Sequence, residues 1–303
     1  MSTPVVARTR DELRARLAPA RRDARSIGLV PTMGFLHEGH LSLISAARAR
    51  TDVVVMSLFV NPTQFGAGED LDAYPRDEAR DVRLAGEAGA DIVYAPDAAD
   101  VYPDGFATTV EVGGGLTDVL CGYPARRGPG HFHGVTTVVA KLLNAVGPDV
   151  VFFGQKDAQQ TVVVRRMVRD LEFPVEVIVL PTVREADGLA MSSRNVYLDA
   201  SERARALSLR RALLSVQDAV HTGETSTERA LATAGKVLAD AGVEPEYLEA
   251  RDTDDLTPAT EFGPRAVLVA VAARVGRARL IDNIVIDPQT TSGPDQQSTG
   301  GLR

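Results

Sequence analysis

Short apolar runs rich in β-branched residues alternate with longer amphipathic runs through the first two-thirds of this 303-residue chain. Such alternation is typical of crossover units over a parallel sheet. The predicted strands lie at 26–30, 52–60, 91–94, 149–153 and 175–180, and the predicted helices at 9–22, 39–50, 76–88, 135–145 and 159–169. The sequence therefore predicts an α/β fold with a doubly wound parallel sheet of five strands. Ligands are expected at the carboxyl ends of those strands.

The pattern changes after Pro181. Two helices rich in Ala and Arg are predicted at 200–221 and 227–241, and three strands of a separate antiparallel unit at 246–251, 266–275 and 279–286. We expect a catalytic domain over 1–182 and a smaller α+β domain over 183–287 that closes over the site. Residues 288–303 are almost devoid of apolar side chains, which predicts a disordered tail.

Composition excludes several classes of function. The chain has 33 basic and 41 acidic residues, a formal charge of −8 and no long run of Lys or Arg, so broad binding to nucleic acid or to an anionic membrane is not expected. The single Cys121 excludes an intramolecular disulfide and fits the reducing cytoplasm. We expect neither export nor a membrane span, since no long apolar segment is present.

The segment PTMGFLHEGH at 31–40 follows the first predicted strand and opens a helix. His37 and His40 are three residues apart and lie on one face of a helical turn, where free backbone N–H groups attract phosphate. The arrangement suits a grip on the phosphates of a nucleotide, although two histidines that merely cap a helix are an alternative. A zinc site is not favoured, because a metalloprotease helix needs H-E-x-x-H and this chain reads H-E-G-H.

Two further segments supply phosphate donors. FFGQKD at 152–157 ends a predicted strand and carries Lys156, one of only three lysines, and MSSR at 191–194 follows the last strand of the predicted sheet. Ammonium, hydroxyl and guanidinium groups together suit a polyphosphate, and ATP is the candidate. The chain has no Walker A segment, no kinase signature and no G-x-G-x-x-G after its first predicted strand, which leaves attack at the α-phosphorus of ATP.

These segments resemble the pantothenate synthetase (pantoate–β-alanine ligase) family of the HIGH-motif nucleotidylyltransferase superfamily, whose fold is Rossmann-like. The matching pieces, in family order, are PTMGFLHEGH at 31–40, FVNPTQFGAGEDLDAYPR at 59–76, HFHGVTTVVAKLLN at 131–144, FFGQKDAQQ at 152–160 and PTVREADGLAMSSRNVYL at 181–198. The resemblance implies condensation of (R)-pantoate with β-alanine to pantothenate, through a pantoyl adenylate, with ATP converted to AMP and pyrophosphate. It also implies Mg²⁺ bound with the ATP, and a homodimer.

The resemblance also implies roles for particular residues. His40, His37 and Lys156 would be catalytic, and Gln64, Gln160 and Met33 would bind pantoate and β-alanine. The implied ATP contacts are Pro31, Thr32, Met33, Gly34, His37, Gly39, His40, Gly154, Lys156, Asp157, Val183, Met191, Ser192, Ser193 and Arg194. Among them, Asp157 would lie near the ribose and Val183 at the adenine. The last four residues of the list would form a mobile phosphate-binding loop.

The chain departs from the family pattern at several positions. Gln155 and Ala158 stand where Glu and Tyr are frequent in the family. Gly128 stands where the family frequently has an arginine, so Arg126 or Arg127 would have to supply that guanidinium group. Cys121 replaces a frequent acidic residue, and we interpret it as a small, partly buried side chain.

The metal ligands stay unknown from the sequence. Asp81 is either a contact to Mg²⁺ or, as we favour, an exposed helix carboxylate. Two rival functions share the histidine motif, namely a nucleotidylyltransferase that stops at an adenylylated product and a non-catalytic nucleotide-binding protein.

Overall fold

The computed structural model describes residues 3–66 and 71–287, and the tail expected at 288–303 lies outside them. In this part of the chain, six strands form one sheet in which every neighbouring pair is parallel. They are β1 (Val5–Ala7), β2 (Ile27–Thr32), β3 (Val53–Leu58), β4 (Ile92–Tyr94), β5 (Val150–Gly154) and β6 (Glu176–Leu180). The order across the sheet is β1-β4-β3-β2-β5-β6.

Helices cover both faces of this sheet. They are α1 (Arg10–Arg22), α2 (Glu38–Arg50), α3 (Glu78–Ala88), the short α4 (Ala98–Val101), α5 (Pro129–Val146) and α6 (Ala158–Asp170). Side chains of α2 and α3 share one apolar core with Val30 and Val54, whereas α1, α5 and α6 share another with Leu29 and Val55. Because neighbouring strand residues point to opposite faces, the four inner strands β2, β3, β4 and β5 are buried on both sides, as their continuous apolar runs predict.

The predicted doubly wound α/β fold is confirmed, with one strand more than expected. β1 has only three residues and pairs with β4 at the edge of the sheet, so it is too short to produce a recognisable sequence pattern. Helix α5 also begins six residues earlier than the predicted start at 135. Among the described residues, no helix has both the length and the apolar character needed to cross a bilayer.

A second sheet is antiparallel, as predicted. Its strands are β7 (Pro245–Asp252), β8 (Val267–Val275) and β9 (Ala278–Ile286), in that order, and two helices, α7 (Ala200–His221) and α8 (Thr227–Asp240), pack on it. Strand β8 is buried on both faces. Val269 and Val271 join the core under α7 and α8, whereas Ala270 and Ala272 pack into the core of the first sheet.

The strand order changes direction between β2 and β5. These two strands are neighbours, and the chain leaves their carboxyl ends into 33–40 and 155–157 respectively. Adjacent parallel strands whose connections diverge to opposite sides leave a crevice at their carboxyl edge. The fold therefore brings the histidine segment and the lysine segment to one crevice.

Gly134 allows α5 to approach the segment that carries Gln64. A Cβ atom at this position would lie 2.4 Å from the carbonyl oxygen of Thr63 and 2.6 Å from the backbone nitrogen of Gln64. The Asn61 amide donates a hydrogen bond to the Gly134 carbonyl over 3.1 Å and fixes the same contact. The backbone, not a side chain, sets this distance.

We predict that Gly134→Ala destabilises the fold by ~1–3 kcal/mol, as overpacking of a tight site does, and displaces the turn at Gln64. Gly130→Ala on the same helix is the matched control, because nothing lies within 4 Å of the added methyl group. Urea unfolding of both variants measures the difference. Equal stability of the two variants would contradict the close-approach role of Gly134.

Candidate active site

A buried carboxylate holds the turn that follows β2. Asp81, on α3, is 1% exposed, and its two oxygens accept hydrogen bonds from the N–H groups of Phe35 (2.7 Å) and Leu36 (2.8 Å). Burial raises the pKa of Asp81 above its ordinary value, and the two N–H groups act in the opposite direction. The favoured expectation of an exposed helix carboxylate is wrong, because this side chain points inward and caps the turn.

The turn itself has an unusual backbone. Gly34 has φ +84° and Phe35 has φ +49°, values that only glycine adopts without strain. A Cβ atom on Gly34 would also lie 2.6 Å from the side chain of Leu58 and 2.9 Å from the Asp81 carboxylate. The glycine is therefore required both by conformation and by space.

The turn delivers His37 and His40 to the start of α2. His37 is the N-cap residue, and its ring stacks on that of His40 with centroids 4.0 Å apart. The backbone N–H of His37 donates to Nδ1 of His40 over 3.4 Å. Because Nδ1 accepts, the proton of the neutral His40 ring lies on Nε2, which is free to donate to a ligand.

Burial keeps both histidines uncharged. Desolvation first, and the charge of Lys156 second, lower the pKa of His37 to about 4. Desolvation, followed by the influence of His37 and Lys156, lowers the pKa of His40 well below its ordinary value. Both rings are therefore neutral hydrogen-bonding groups at neutral pH. Nδ1 of His37 is buried and has no hydrogen-bond partner among the described residues.

Lys156 lies in a single 3₁₀ turn, Gln155–Asp157, directly after β5. Its ammonium group is 3.7 Å from the Asp157 carboxylate, and it acts electrostatically on both histidines. The predicted pairing of the lysine segment with the histidine segment is therefore present in the structure.

Two adjoining cavities open at this edge of the sheet. The smaller one has a volume of about 180 Å³ and is lined by His40, both predicted glutamines and an apolar wall from α5 and β5. The larger one has a volume of about 520 Å³, is lined by Lys156 and Ser192, and extends to the second sheet. The residues that border both cavities are Arg127, His131, Asp157, Gln160 and Arg194.

Gln64 is held in place within the smaller cavity. Its side chain is 9% exposed, its amide nitrogen donates to the Met33 sulfur over 3.0 Å, and its amide oxygen accepts from Asn61 over 3.2 Å. Asn61 in turn accepts a hydrogen bond from the Tyr102 hydroxyl over 2.8 Å. The residue-type pattern alone did not single out Asn61 and Tyr102, since polar side chains in a loop carry no periodic signal.

The sequence left open whether Arg126 or Arg127 serves the site. Arg127 borders both cavities, and its guanidinium lies 3.1 Å from Nε2 of His131. Arg126 binds the Leu120 carbonyl and the Glu249 carboxylate instead. The structure thus brings Arg127 to the site. The matching segment at 131–144 implies no particular role for His131. In the structure, Nδ1 of His131 donates to the Gln64 carbonyl over 2.7 Å.

The remaining predicted residues are distributed as follows. Pro31, Thr32 and Met33 line the smaller cavity. Ser192 caps the 3₁₀ helix Ser193–Tyr197, which contains the last two residues of the segment expected to be a mobile loop. Several predicted contacts line neither of these two cavities, namely Gly34, His37, Gly39, Gly154, Val183, Met191 and Ser193.

Cys121 is 8% exposed, more deeply buried than the sequence suggested. Its sulfur lies 3.2 Å from the Tyr247 hydroxyl and 3.4 Å from the Arg279 guanidinium. In the larger cavity it therefore forms part of the wall between the two sheets.

In the part of the chain that the structure describes, the donor side chains do not form a protein site for Mg²⁺. Within residues 3–66 and 71–287, no group of three or more His, Cys, Asp and Glu side chains is placed to hold a metal ion. Asp81, the one candidate contact, uses both oxygens on backbone N–H groups. Of the acidic side chains at the cavities, Asp157 lies beside the Lys156 ammonium and Asp282 is paired with Arg184.

A parallel sheet that brings two stacked histidines and a lysine to its central crevice, beside two joined cavities, is the arrangement of a nucleotide-binding α/β enzyme. A family model described as pantoate-beta-alanine ligase matches residues 5–285. The chain therefore belongs to the pantoate–β-alanine ligase family, as the sequence motifs predict.

Individual relatives agree with this membership. The chain is 55% identical over 274 residues to the pantothenate synthetase of Moorella thermoacetica, covering 89% of this chain and 94% of that protein. Its fold matches the crystal structure of a pantothenate synthetase from Thermus thermophilus with a TM-score of 0.87 at 47% identity, covering 94% of this chain and 100% of that one. A Francisella tularensis pantoate-beta-alanine ligase, complexed with beta-gamma ATP and β-alanine, matches with a TM-score of 0.75 at 30% identity, over 93% of this chain and 97% of that one.

We predict that Asp81→Asn lowers kcat/KM for ATP by about 10- to 100-fold. An amide offers one acceptor oxygen, so its NH₂ group would face the N–H of Phe35 or Leu36 and displace the turn that positions both histidines. Steady-state kinetics measure the effect. Glu87→Gln, an exposed change on the same helix, should retain the wild-type value; an Asp81→Asn variant as active as this control would refute the role of the turn.

We further predict a pH-dependent stability that originates at His37. Between about pH 6.5 and 4 the unfolded chain binds a proton at this residue and the folded chain does not, so the free energy of unfolding falls as the pH falls. His37→Gln should reduce this slope by up to ~1.4 kcal/mol per pH unit. Urea unfolding at several pH values tests this, with the exposed His221→Gln as control. An unchanged slope in His37→Gln would contradict the prediction.

Proposed function

We propose that this chain condenses (R)-pantoate with β-alanine in a reaction driven by MgATP, through a pantoyl adenylate, and releases pantothenate, AMP and pyrophosphate. The observation that carries the proposal is the pair of joined cavities. One is small and has two amide side chains and an apolar wall, and the other is larger and is lined by Lys156 and Arg194. The activity named for the family members supports the same conclusion.

Pantoate suits the smaller cavity. The amide groups of Gln64 and Gln160 can each donate and accept, so together they can bind a carboxylate and hydroxyl groups without adding charge. Val135, Val138 and Val139 form an apolar wall for the methyl groups of pantoate. Gln64 and Met33 are also the residues we propose to contact the incoming amine of β-alanine, as the family resemblance implies.

ATP suits the larger cavity and the crevice beside it. The proposed nucleotide contacts are those that the resemblance implies, from Pro31 to Arg194. The Nδ1 atom of His37 and the hydroxyl of Thr182, next to Val183, are buried and find no hydrogen-bond partner within residues 3–66 and 71–287, so a nucleotide could satisfy them. Mg²⁺ enters in this proposal as part of the MgATP substrate, carried by its phosphates.

In the first step a pantoate carboxylate oxygen attacks the α-phosphorus. A new P–O bond forms, the bond to pyrophosphate breaks, and its electron pair leaves with pyrophosphate. Lys156 and Arg194 are charged donors at the site, and Nε2–H of the neutral His40 adds a hydrogen bond as charge builds on the phosphate oxygens. His40 therefore acts as a hydrogen-bond donor, not as a protonated acid.

In the second step the amine of β-alanine attacks the acyl carbon of the adenylate. A C–N bond forms, the C–O bond to AMP breaks, and the amine gives up one proton to solvent. The mixed anhydride has to be kept from water until the amine arrives. The apolar wall of the smaller cavity contributes to this exclusion.

The wider organisation is proposed on the same basis. We take residues 1–182 as the catalytic domain and 183–287 as a smaller domain over the site, in line with the two sheets. A homodimer is proposed from the family resemblance and the cytoplasm from the single unpaired Cys121. Light scattering of the purified protein tests the dimer.

The proposed activity predicts two dependences. Exchange of labelled pyrophosphate into ATP should require pantoate but not β-alanine, and net AMP formation should require both, with pantothenate as co-product. Pyrophosphate release that needs only a phosphorylated acceptor would instead indicate a nucleotidylyltransferase. ATP binding without any turnover by the folded protein would indicate a non-catalytic nucleotide-binding protein.

A further inference from the structure

One side chain of the second sheet is hydrogen-bonded to the backbone around Lys156. Asn283, on β9, donates from its amide nitrogen to the carbonyl oxygens of Gln155 (3.0 Å) and Lys156 (2.9 Å). Its amide oxygen accepts from the Gln155 side chain over 3.2 Å. Asn283 is 4% exposed, so these three hydrogen bonds are made away from solvent.

The neighbouring residue of β9 binds the other loop of the crevice. Asp282 forms a two-pronged ion pair with Arg184, with N–O distances of 2.8 and 2.9 Å. Arg184 follows Val183 and also donates to the Gly188 carbonyl. An Asp282 oxygen accepts the backbone N–H of Asn283 over 2.8 Å. Two consecutive residues of β9 therefore hold both loops that border the larger cavity.

An asparagine is the residue type that this contact needs. Its two amide hydrogens meet two backbone carbonyls, and its oxygen meets the Gln155 amide. An aspartate of the same shape would place an oxygen against both carbonyls, and an alanine would leave the two carbonyls without this donor. The contact is therefore sensitive to chemistry as well as to size.

The position of Lys156 depends on this contact. The lysine sits in a 3₁₀ turn of three residues that connects β5 to α6, and 3₁₀ hydrogen bonds have poorer geometry than those of an α-helix. The Asn283 amide binds the carbonyl that precedes the Lys156 Cα atom and the carbonyl that follows it, and so fixes where the lysine side chain starts.

We propose that Asn283 is the positioning residue for Lys156 in the adenylate-forming step, so that the second sheet sets the geometry of the phosphate-binding lysine. This proposal rests on the proposed function, because it requires Lys156 to act on the triphosphate. Asn283 also borders the larger cavity, but its amide nitrogen and oxygen are engaged by the lysine turn, and it acts through that turn.

The test compares the two half-reactions in the full-length protein. We expect Asn283→Ala and Asn283→Asp to slow pantoate-dependent pyrophosphate exchange by about 10- to 100-fold, the loss that a small misplacement of a catalytic group produces. Aminolysis of synthetic pantoyl adenylate by β-alanine should change by less than about threefold, because that step does not need the triphosphate contact. Equal losses in both half-reactions would show a general structural role and overturn the proposal.

A double-variant cycle with Lys156→Ala gives the second readout. If Asn283 acts through the lysine, Asn283→Ala should add less than about twofold to the loss already caused by Lys156→Ala. Multiplicative losses would overturn the proposal. Gln155→Ala, which removes one of the three hydrogen bonds and leaves the two carbonyl contacts, should cost less than Asn283→Ala.

Controls separate this proposal from the proposed function. Val285→Ala changes an exposed residue on the same strand and should keep the wild-type rates, and Lys236→Ala should show that loss of an exposed lysine elsewhere has no effect. Absence of pantoate-dependent exchange in the wild type would refute the proposed function. If a folded Asn283→Ala variant catalyses pantoate-dependent pyrophosphate exchange at the wild-type rate, only the role of Asn283 is refuted.

Discussion

The site depends on one buried carboxylate, that of Asp81. Three features need it: the left-handed backbone at Gly34 and Phe35, the position of His37 at the start of α2, and the hydrogen bond that selects the His40 tautomer. Burying a carboxylate is unfavourable unless its oxygens are satisfied, and here two backbone N–H groups satisfy them. The carboxylate thus stabilises a turn that has no regular hydrogen bonding of its own.

Burial and the Lys156 ammonium group set the charge state of the two histidines. Lys156 is close enough to lower the pKa of both histidines, which burial already disfavours as cations. The crevice therefore has neutral donors on the β2 side and Lys156 on the β5 side, and Arg127 and Arg194 border its cavities. Neutral donors stabilise developing charge without the desolvation cost of further buried cations.

The sequence predicted the parts of this site that follow from local pattern. The parallel sheet was predictable because its strands are continuous apolar runs, and His37, His40 and Lys156 were predictable because they closely follow two of them. Asp81 was misjudged because its helix spacing does not reveal that the turn after β2 folds back onto α3. Asn283 was missed for a similar reason: it is 127 residues from Lys156, and one polar residue in an apolar strand gives no sign of its partner.

The two sheets are joined by two kinds of contact with different consequences. At the base of the interface, Ala270 and Ala272 of β8 pack into the core of the first sheet, and separating them would expose apolar surface at a cost of ~25 cal/mol per Å². At the rim, Asp282 and Asn283 are 4% exposed and bind the loops that carry Arg184 and Lys156, and a buried polar group that loses its partner costs more free energy than the hydrogen bond itself contributes. The rim therefore sets the positions of these two loops, while the base keeps the two sheets together.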